Sequence, residues 1–263
     1  MKRGIVVPNV GSPTDLVALA RDAEAAGWDG FYLWDHVQIV AGGAFDVVDP
    51  WMVLAAVAGS TSRLRLGTAV TPLTRRRPWN VAKQLVTLDH LSGGRATLGV
   101  GLGFPATDEL AAFGETTELR TRAARTDEAL RIIDQALRGH PIAHDGDHYR
   151  VHAHLRPPAV QSPRPPIWIA ATPPHRAPLR RAARWDGVVC NVKLDDDLLP
   201  LRPNELVDYL GDILDNPDVE VVTNPHPEHG PDEYDTIGVD WLLDTTWPAP
   251  DWLAGFRAAL GLS

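Results

Sequence analysis

An aspartate and a histidine, Asp35-His36, close a β-type run, Trp28–Trp34. An imidazole at the end of a strand can move protons near neutrality, because its charge change falls in that range. The competing reading is that His36 merely caps the strand. Alternation sends Asp35 and His36 to opposite sides, so only one faces a ligand; His36 is the candidate proton carrier, with Asp35 either orienting it or pointing into the shell. Two more strand ends carry residues that suit a ligand better than a core. Thr68-Ala69-Val70 ends the run Leu64–Val70, and Gly101-Leu102-Gly103 follows Arg95–Val100. The glycines of Gly99-Val100-Gly101-Leu102-Gly103 by themselves signal only close backbone approach. A fourth segment, Ala171-Thr172-Pro173-Pro174-His175-Arg176, is a turn entering a helix. Such a turn offers free N–H groups and a positive dipole end to an anion, with His175 or Arg176 as a cationic contact; the alternative is an exposed basic turn.

Other side chains have two readings each. Phe104 suits either an apolar wall of a substrate pocket or packing beneath a loop. Trp34, with Trp28, Trp51 and Trp79, suits either an apolar pocket or the buried shell. Arg75-Arg76-Arg77 is either a rim for an acidic tail or a solvated loop, and the solvated reading is preferred unless a bound ligand carries such a tail. His140, His144, His148 and His152 recur at a spacing that on a helix would make a metal stripe. Pro141 and the Gly146-Asp147 turn break that helix, so no metal is expected.

These residues need a frame. Leu64–Val70, a helix from Pro78 to Leu91 with Val81, Leu85 and Leu88 on one face, and Arg95–Val100 form a βαβ unit with a Gly93-Gly94 stop. Such a unit implies parallel strands and a right-handed crossover, with sites at the carboxyl ends. Further β-type runs are Gly4–Val7, Ile167–Ala171, Asp186–Asn191, Val219–Thr223 and Thr236–Leu243. Helical patterns run from Ser12 to Ala26, Asp49 to Gly59, Thr117 to Arg138, Arg176 to Trp185, Pro203 to Leu214 and Asp251 to Leu260. Val37–Val48, with Gly42-Gly43, reads as an active-site loop, and His148–Val151 as a small β excursion. Eight strands, most followed by a helix, count out a single (β/α)8 barrel domain over residues 1–263.

Composition narrows the function classes. The 263 residues carry a net charge of −9, which disfavours sequence-blind nucleic-acid binding. One cysteine, Cys190, excludes an internal disulfide and a cysteine-cluster metal site. No apolar run is long enough to span a membrane, and Met1-Lys2-Arg3 leads straight into a β-type run without a signal peptide. A cytoplasmic protein acting on a small molecule is the expectation.

The stretch LGTAVTPLTRRRPWNVAKQ..TLDHLSGGRATLGVGLG resembles the core signature of the bacterial luciferase-like oxidoreductases. PPAVQSPRPPIWIAATPPHRAPLRRAARWDGVV and GVDWLLDTTWP are similar to later segments of its short, actinobacterial-type members. The resemblance implies a TIM barrel without the long second-half insertion of larger members. It also implies an oxidoreductase that uses a deazaflavin coenzyme or FMN, and family members are often homodimers. It places the ring against Thr68–Val70, with a cis peptide at Ala69–Val70, and against Gly101–Gly103, with the phosphate near Ala171–Arg176. The Asp35-His36 pair favours deazaflavin and hydride exchange with a small organic substrate. An FMN-dependent monooxygenase that activates oxygen is the alternative, and a non-catalytic cofactor-binding barrel a second. Phe104 and Leu102 stand where characterised relatives have a glutamate and a phosphate-binding arginine, so neither substrate class carries over.

Overall fold

The computed structural model describes residues 1–39, 45–190 and 199–262. Eight parallel strands close into a barrel: β1 (Lys2–Val7), β2 (Gly30–Leu33), β3 (Arg65–Pro72), β4 (Ala96–Gly101), β7 (Ile167–Ala170), β8 (Gly187–Cys190), β9 (Glu220–Thr223) and β10 (Trp241–Thr245). Helices α1 (Pro13–Ala25), α2 (Pro50–Ser60), α3 (Pro78–Ser92) and α5 (Leu119–Leu137) cover the first half, with the short α4 (Ala106–Glu109) at the rim. The second half is lighter, with α6 (Ala177–Ala182), α7 (Pro203–Leu210), α8 (Pro231–Thr236) and α9 (Trp252–Ala259). A proline stands at the first or second position of α1, α2, α3, α6, α7 and α8, where its missing N–H costs no helix hydrogen bond.

Strand and helix faces meet in a shell core that includes Ile5, Leu33, Leu54, Leu85, Leu98 and Ile133. A smaller cluster fills the barrel's interior: Val6, Tyr32, Ala69, Trp168, Val189, Val222, Trp241 and Leu243, with Trp34 and Val70 partly buried above it. Tyr32, Trp168 and Trp241 pack with ring centroids 5.2, 6.0 and 5.8 Å apart. Glu220 accepts from the indole N–H groups of Trp168 (2.8 Å) and Trp241 (3.2 Å), so two polar tips are satisfied where they are buried. Glycines make the room. A Cβ on Gly30 would sit 2.7 Å from Tyr32, and one on Gly187 would sit 2.4 Å from Trp168.

Both glycines belong to a repeated junction. Trp28-Asp29-Gly30 leads into β2 and Trp185-Asp186-Gly187 into β8. The Asp29 carboxylate accepts from the Arg3 N–H at 2.9 Å, and that of Asp186 from the Ile167 N–H at 2.7 Å. Arg3 lies over the Trp28 ring and Arg164 over Trp185, 5.0 and 5.2 Å from the centroids.

The eighth strand departs from the sequence expectation. The run expected from Thr236 begins only at Trp241, and Pro231–Thr236 is helix α8. Pro231 and the Glu233 carboxylate, which accepts from the Gly230 N–H at 2.9 Å, start that helix. Gly238, at φ +85°, turns the chain before β10. The β excursion near 148–151 is one arm of an antiparallel hairpin, β5 (Ile142–Asp145) and β6 (Arg150–Ala153). Residues 40–44 of the expected active-site loop, and Asn191 at the end of the expected sixth strand, lie outside the described residues.

The hairpin hangs on one carboxylate. Glu128 of α5 accepts from the N–H groups of Asp147 (3.0 Å) and Tyr149 (3.0 Å) and pairs with the His144 ring (3.1 Å). Burial would raise the Glu128 pKa, but His144 and the backbone N–H groups outweigh it and hold the carboxyl below its ordinary range. A lowered folded-state pKa contributes stability that is present above the unfolded value and lost as pH falls through the folded one. Glu128→Gln is therefore expected to cost about 1–3 kcal/mol at pH 7 and less as pH drops below about 4. Urea unfolding of both proteins at several pH values checks this; a pH-independent gap would remove the carboxylate as the cause.

Candidate active site

The carboxyl ends of β1 to β4 bring the candidate residues together. Asn9, buried just beyond β1, fixes the chain after β2. Its side-chain amide donates to the carbonyls of His36 (2.9 Å) and Val48 (2.6 Å), and its oxygen accepts the His36 N–H (3.3 Å). The expected divergence of the Asp-His pair is present. Asp35 is fully enclosed in the shell, and His36 is 21% exposed on its side chain.

Asp35 is an anchor. Arg76 grips its carboxylate through Nε (2.8 Å) and Nη2 (2.6 Å), and Arg75 reaches its carbonyl (2.6 Å) and carboxylate (3.1 Å). Thr71 Oγ1 donates at 2.8 Å and the Trp51 indole N–H at 3.4 Å. The solvated reading of Arg75 and Arg76 is therefore corrected: their side chains are only 11% and 15% exposed and are held by a buried acid. It stands for Arg77, which is exposed and lies 5.8 Å from the Trp79 ring centre. Burial pushes the Asp35 carboxyl up, but Arg76 and Arg75 outweigh it and keep its pKa below the ordinary value.

His36 has a partner that the sequence reading missed. Nδ1 lies 2.9 Å from Oε1 of Glu109, which also accepts the Val37 N–H at 3.1 Å. Glu109 ends α4 and is 1% exposed. Its Oε2 lies 3.3 Å from Arg75 Nη2 but lacks hydrogen-bond geometry, and Arg75 Nε is likewise buried without a partner. A chain of polar side chains, Asp35–Arg75–Glu109–His36, thus runs from the shell to the mouth. A carboxylate on one imidazole nitrogen fixes the tautomer and leaves Nε2 for exchange with a ligand. The available signal was Asp108-Glu109 just past a glycine-rich strand end, but nothing local tied it to His36.

Beside the histidine the backbone is drawn tight. The Ala69–Val70 peptide is cis, as expected, and the β3–β4 register shifts between Thr68 and Thr71. Thr68 is buried, with its hydroxyl oxygen 2.8 Å from Thr71 Oγ1. A Cβ on Gly99 would lie 2.3 Å from the Thr68 carbonyl oxygen, and one on Gly101 2.5 Å from Val70 Cγ2. Arg122 holds the carbonyls of Leu102 (3.1 Å) and Gly103 (3.0 Å) from behind. Val70 stays partly exposed at the mouth, and Phe104 is exposed.

The expected phosphate turn is less open than its sequence suggests. The Ala171 N–H donates to the Val189 carbonyl at 2.9 Å, so it is spent within the barrel. Arg176 donates to the carbonyls of Tyr209 and Asp208 at the end of α7 and lies over the Tyr209 ring. Thr172 is partly buried and His175 exposed. The Ala171 N–H is thus used within the fold, whereas Arg176 is exposed and keeps guanidinium N–H bonds beyond the two on these carbonyls.

Among the described residues the histidines at 140–152 do not form one stripe: His144 binds Glu128 and His152 binds Asp145. His226, Glu228 and His229, after β9, have ligand atoms within 4.8 Å of one another. Each already has a partner: the Glu228 N–H donates to His226 Nδ1, His229 binds Glu233, and Glu228 pairs with Arg202.

A parallel (β/α)8 barrel with an imidazole–carboxylate pair at its carboxyl mouth, beside a cis peptide and two crowded glycines, has the layout of a barrel enzyme. The family follows from the sequence: the luciferase-like monooxygenase model matches residues 1–198, and the chain belongs to that family. An F420-dependent hydroxymycolic acid dehydrogenase of Mycobacterium tuberculosis is 35% identical over 193 residues, 72% of this chain and 52% of that protein. An F420-dependent glucose-6-phosphate dehydrogenase of Mycobacterium avium is 37% identical over 193 residues, 71% of this chain and 56% of that one. The chain thus spans about half the length of the curated relatives it matches. Among solved structures, an F420-dependent secondary alcohol dehydrogenase with an F420–acetone adduct superposes with a TM-score of 0.76 at 15% identity, covering 98% of both chains. The monooxygenase RslO1 from Streptomyces bottropensis gives 0.71 at 23% identity, covering 100% of this chain and 98% of the other. These two likenesses establish the fold. No helix among the described residues is long and apolar enough to cross a membrane.

Proposed function

We propose that the protein is an oxidoreductase that exchanges a hydride between a deazaflavin coenzyme and a small organic substrate, with His36 moving the accompanying proton. The observation that carries this reading is the His36–Glu109 pair at the carboxyl mouth, with glycines in place of side chains against Val70. The F420-dependent names of the similar proteins support the choice of coenzyme.

The residues present fit a flat ring system. Gly99 and Gly101 remove the side chains that would fill the space at Val70, and Val70 offers an apolar, partly exposed surface. Ala69, Val70, Gly101, Leu102 and Gly103 would hold the ring, and Thr172 and His175 would meet its phosphate. The coenzyme, when bound, supplies or accepts the hydride. The protein's own share is orientation, exclusion of water and proton delivery. His36 holds the exchangeable proton, Glu109 fixes the imidazole, and Arg75 ties Glu109 to the Asp35 anchor.

The test is Gly101→Ala. Its Cβ must displace Val70 or be displaced by it, so deazaflavin affinity is expected to fall about tenfold or more while Tm changes little. Fluorescence titration with oxidised coenzyme F420 measures this, with FMN titrated in parallel. Unchanged affinity in the variant would move the ring elsewhere. Tighter FMN binding with oxygen consumption would favour a monooxygenase.

A further inference from the structure

The mouth has an aromatic side that the proton-handling pair does not explain. Trp34, two residues before His36, stands partly buried on top of the interior cluster. Trp247, just past the end of β10, packs edge-on against it, with centroids 5.2 Å apart and planes at 73°. The His36 ring lies 5.5 Å from the Trp34 ring. Trp247 is 49% exposed. An indole held half in water against Trp34, whose ring in turn neighbours His36, is apolar surface that a ligand can cover.

Among the described residues, the four arginines already named at the strand ends have partners. Arg75 and Arg76 are spent on Asp35 and Glu109, Arg122 on the carbonyls of Leu102 and Gly103, and Arg176 on those of Tyr209 and Asp208. A phosphorylated substrate would compete with Asp35 and Glu109 for Arg75 and Arg76. A neutral planar one needs only the indole faces and one hydrogen bond at its oxygen.

From this we infer that the substrate is an uncharged, flat, conjugated or aromatic carbonyl compound, or the alcohol it becomes. It is carried by Trp34 and Trp247 with its oxygen at His36. This rests on the functional reading above and adds the substrate class to it. In the reducing direction the carbonyl carbon receives a hydride from the reduced deazaflavin, and the oxygen receives a proton from His36. C=O becomes CH–OH, the coenzyme is left oxidised by two electrons with release of its own ring proton, and His36 regains a proton from water.

The experiment uses the whole protein with reduced coenzyme F420 under nitrogen, offering 2-acetonaphthone, acetone and glucose 6-phosphate's oxidised counterpart, 6-phosphogluconolactone. Turnover of 2-acetonaphthone with KM at least tenfold below that of the other two is expected. Trp247→Ala should raise that KM about tenfold, the worth of one good aromatic contact. Trp247→Phe should recover most of it, and both variants should keep the wild-type coenzyme affinity. Comparable KM values for all three compounds, or a Trp247→Ala variant with unchanged KM, would overturn the inference. Failure of the wild type to bind the coenzyme would instead overturn the functional reading. The wall is then judged by calorimetry with 2-acetonaphthone alone, where binding lost in Trp247→Ala upholds it and binding retained in that variant, or absent from the wild type, overturns it.

Discussion

His36→Ala is expected to slow single-turnover hydride transfer by about 10²–10⁴-fold, the usual worth of general acid–base help, and to leave coenzyme affinity within a few-fold. Hydride transfer to or from a carbon bound to oxygen requires a proton at that oxygen, and in the proposed function His36 would handle it. Glu109 occupies Nδ1 at 2.9 Å, and Asn9 clamps the backbone on both sides of the residue. Imidazole position and tautomer are thus set before any ligand arrives. Glu109→Gln keeps the shape but loses the carboxylate, and should give a smaller fall with the same coenzyme affinity. Stopped-flow measurement of the deazaflavin absorbance reads these rates. Wild-type rates in His36→Ala would remove the residue from the mechanism, and loss of coenzyme binding would recast it as a binding group.

Asp35→Asn is expected to damage the fold. Its carboxylate neutralises Arg75 and Arg76, both largely buried, and an amide cannot. Removing one partner of a buried ion pair typically costs about 3–5 kcal/mol, which for a chain of this size lowers Tm by roughly 6–20 °C. The pH dependence carries a sign. Burial raises the Asp35 pKa, but the two arginines outweigh it and hold the folded-state value down. The group's stabilisation is thus full at neutral pH and is lost as pH falls through the lowered folded-state pKa. The gap between wild type and variant should accordingly narrow below about pH 4. Equal Tm values at pH 7 would sink the anchor role.

Most of the barrel was legible because its strands are short apolar runs punctuated by glycine and proline, which are local signals. The eighth strand was misplaced for a local reason as well. Ile237-Gly238-Val239 reads as β, but Pro231 and Glu233 start a helix just upstream and Gly238 adopts a positive φ. What sequence hid was partnership at long range. Arg75 and Arg76 form a charge run that looks solvated until the fold brings Asp35 to them, and Glu109 is one carboxylate among many until α4 folds back over His36. The repeated Trp-Asp-Gly junction was missed because only three residues repeat. The role of each lies in its backbone partners, Arg3 and Ile167.

Tyr32, Trp168 and Trp241 fill the barrel's interior near the first residues of their strands, so both ligands of the proposed reaction would share the carboxyl mouth. A vessel with one opening has no separate exit, so two ligands that share it queue. Whichever seats deeper must enter first and leave last, and the outer one must come and go while the inner one stays. Steady-state kinetics should then show a compulsory order of addition, with the outer product released before the inner partner can be exchanged.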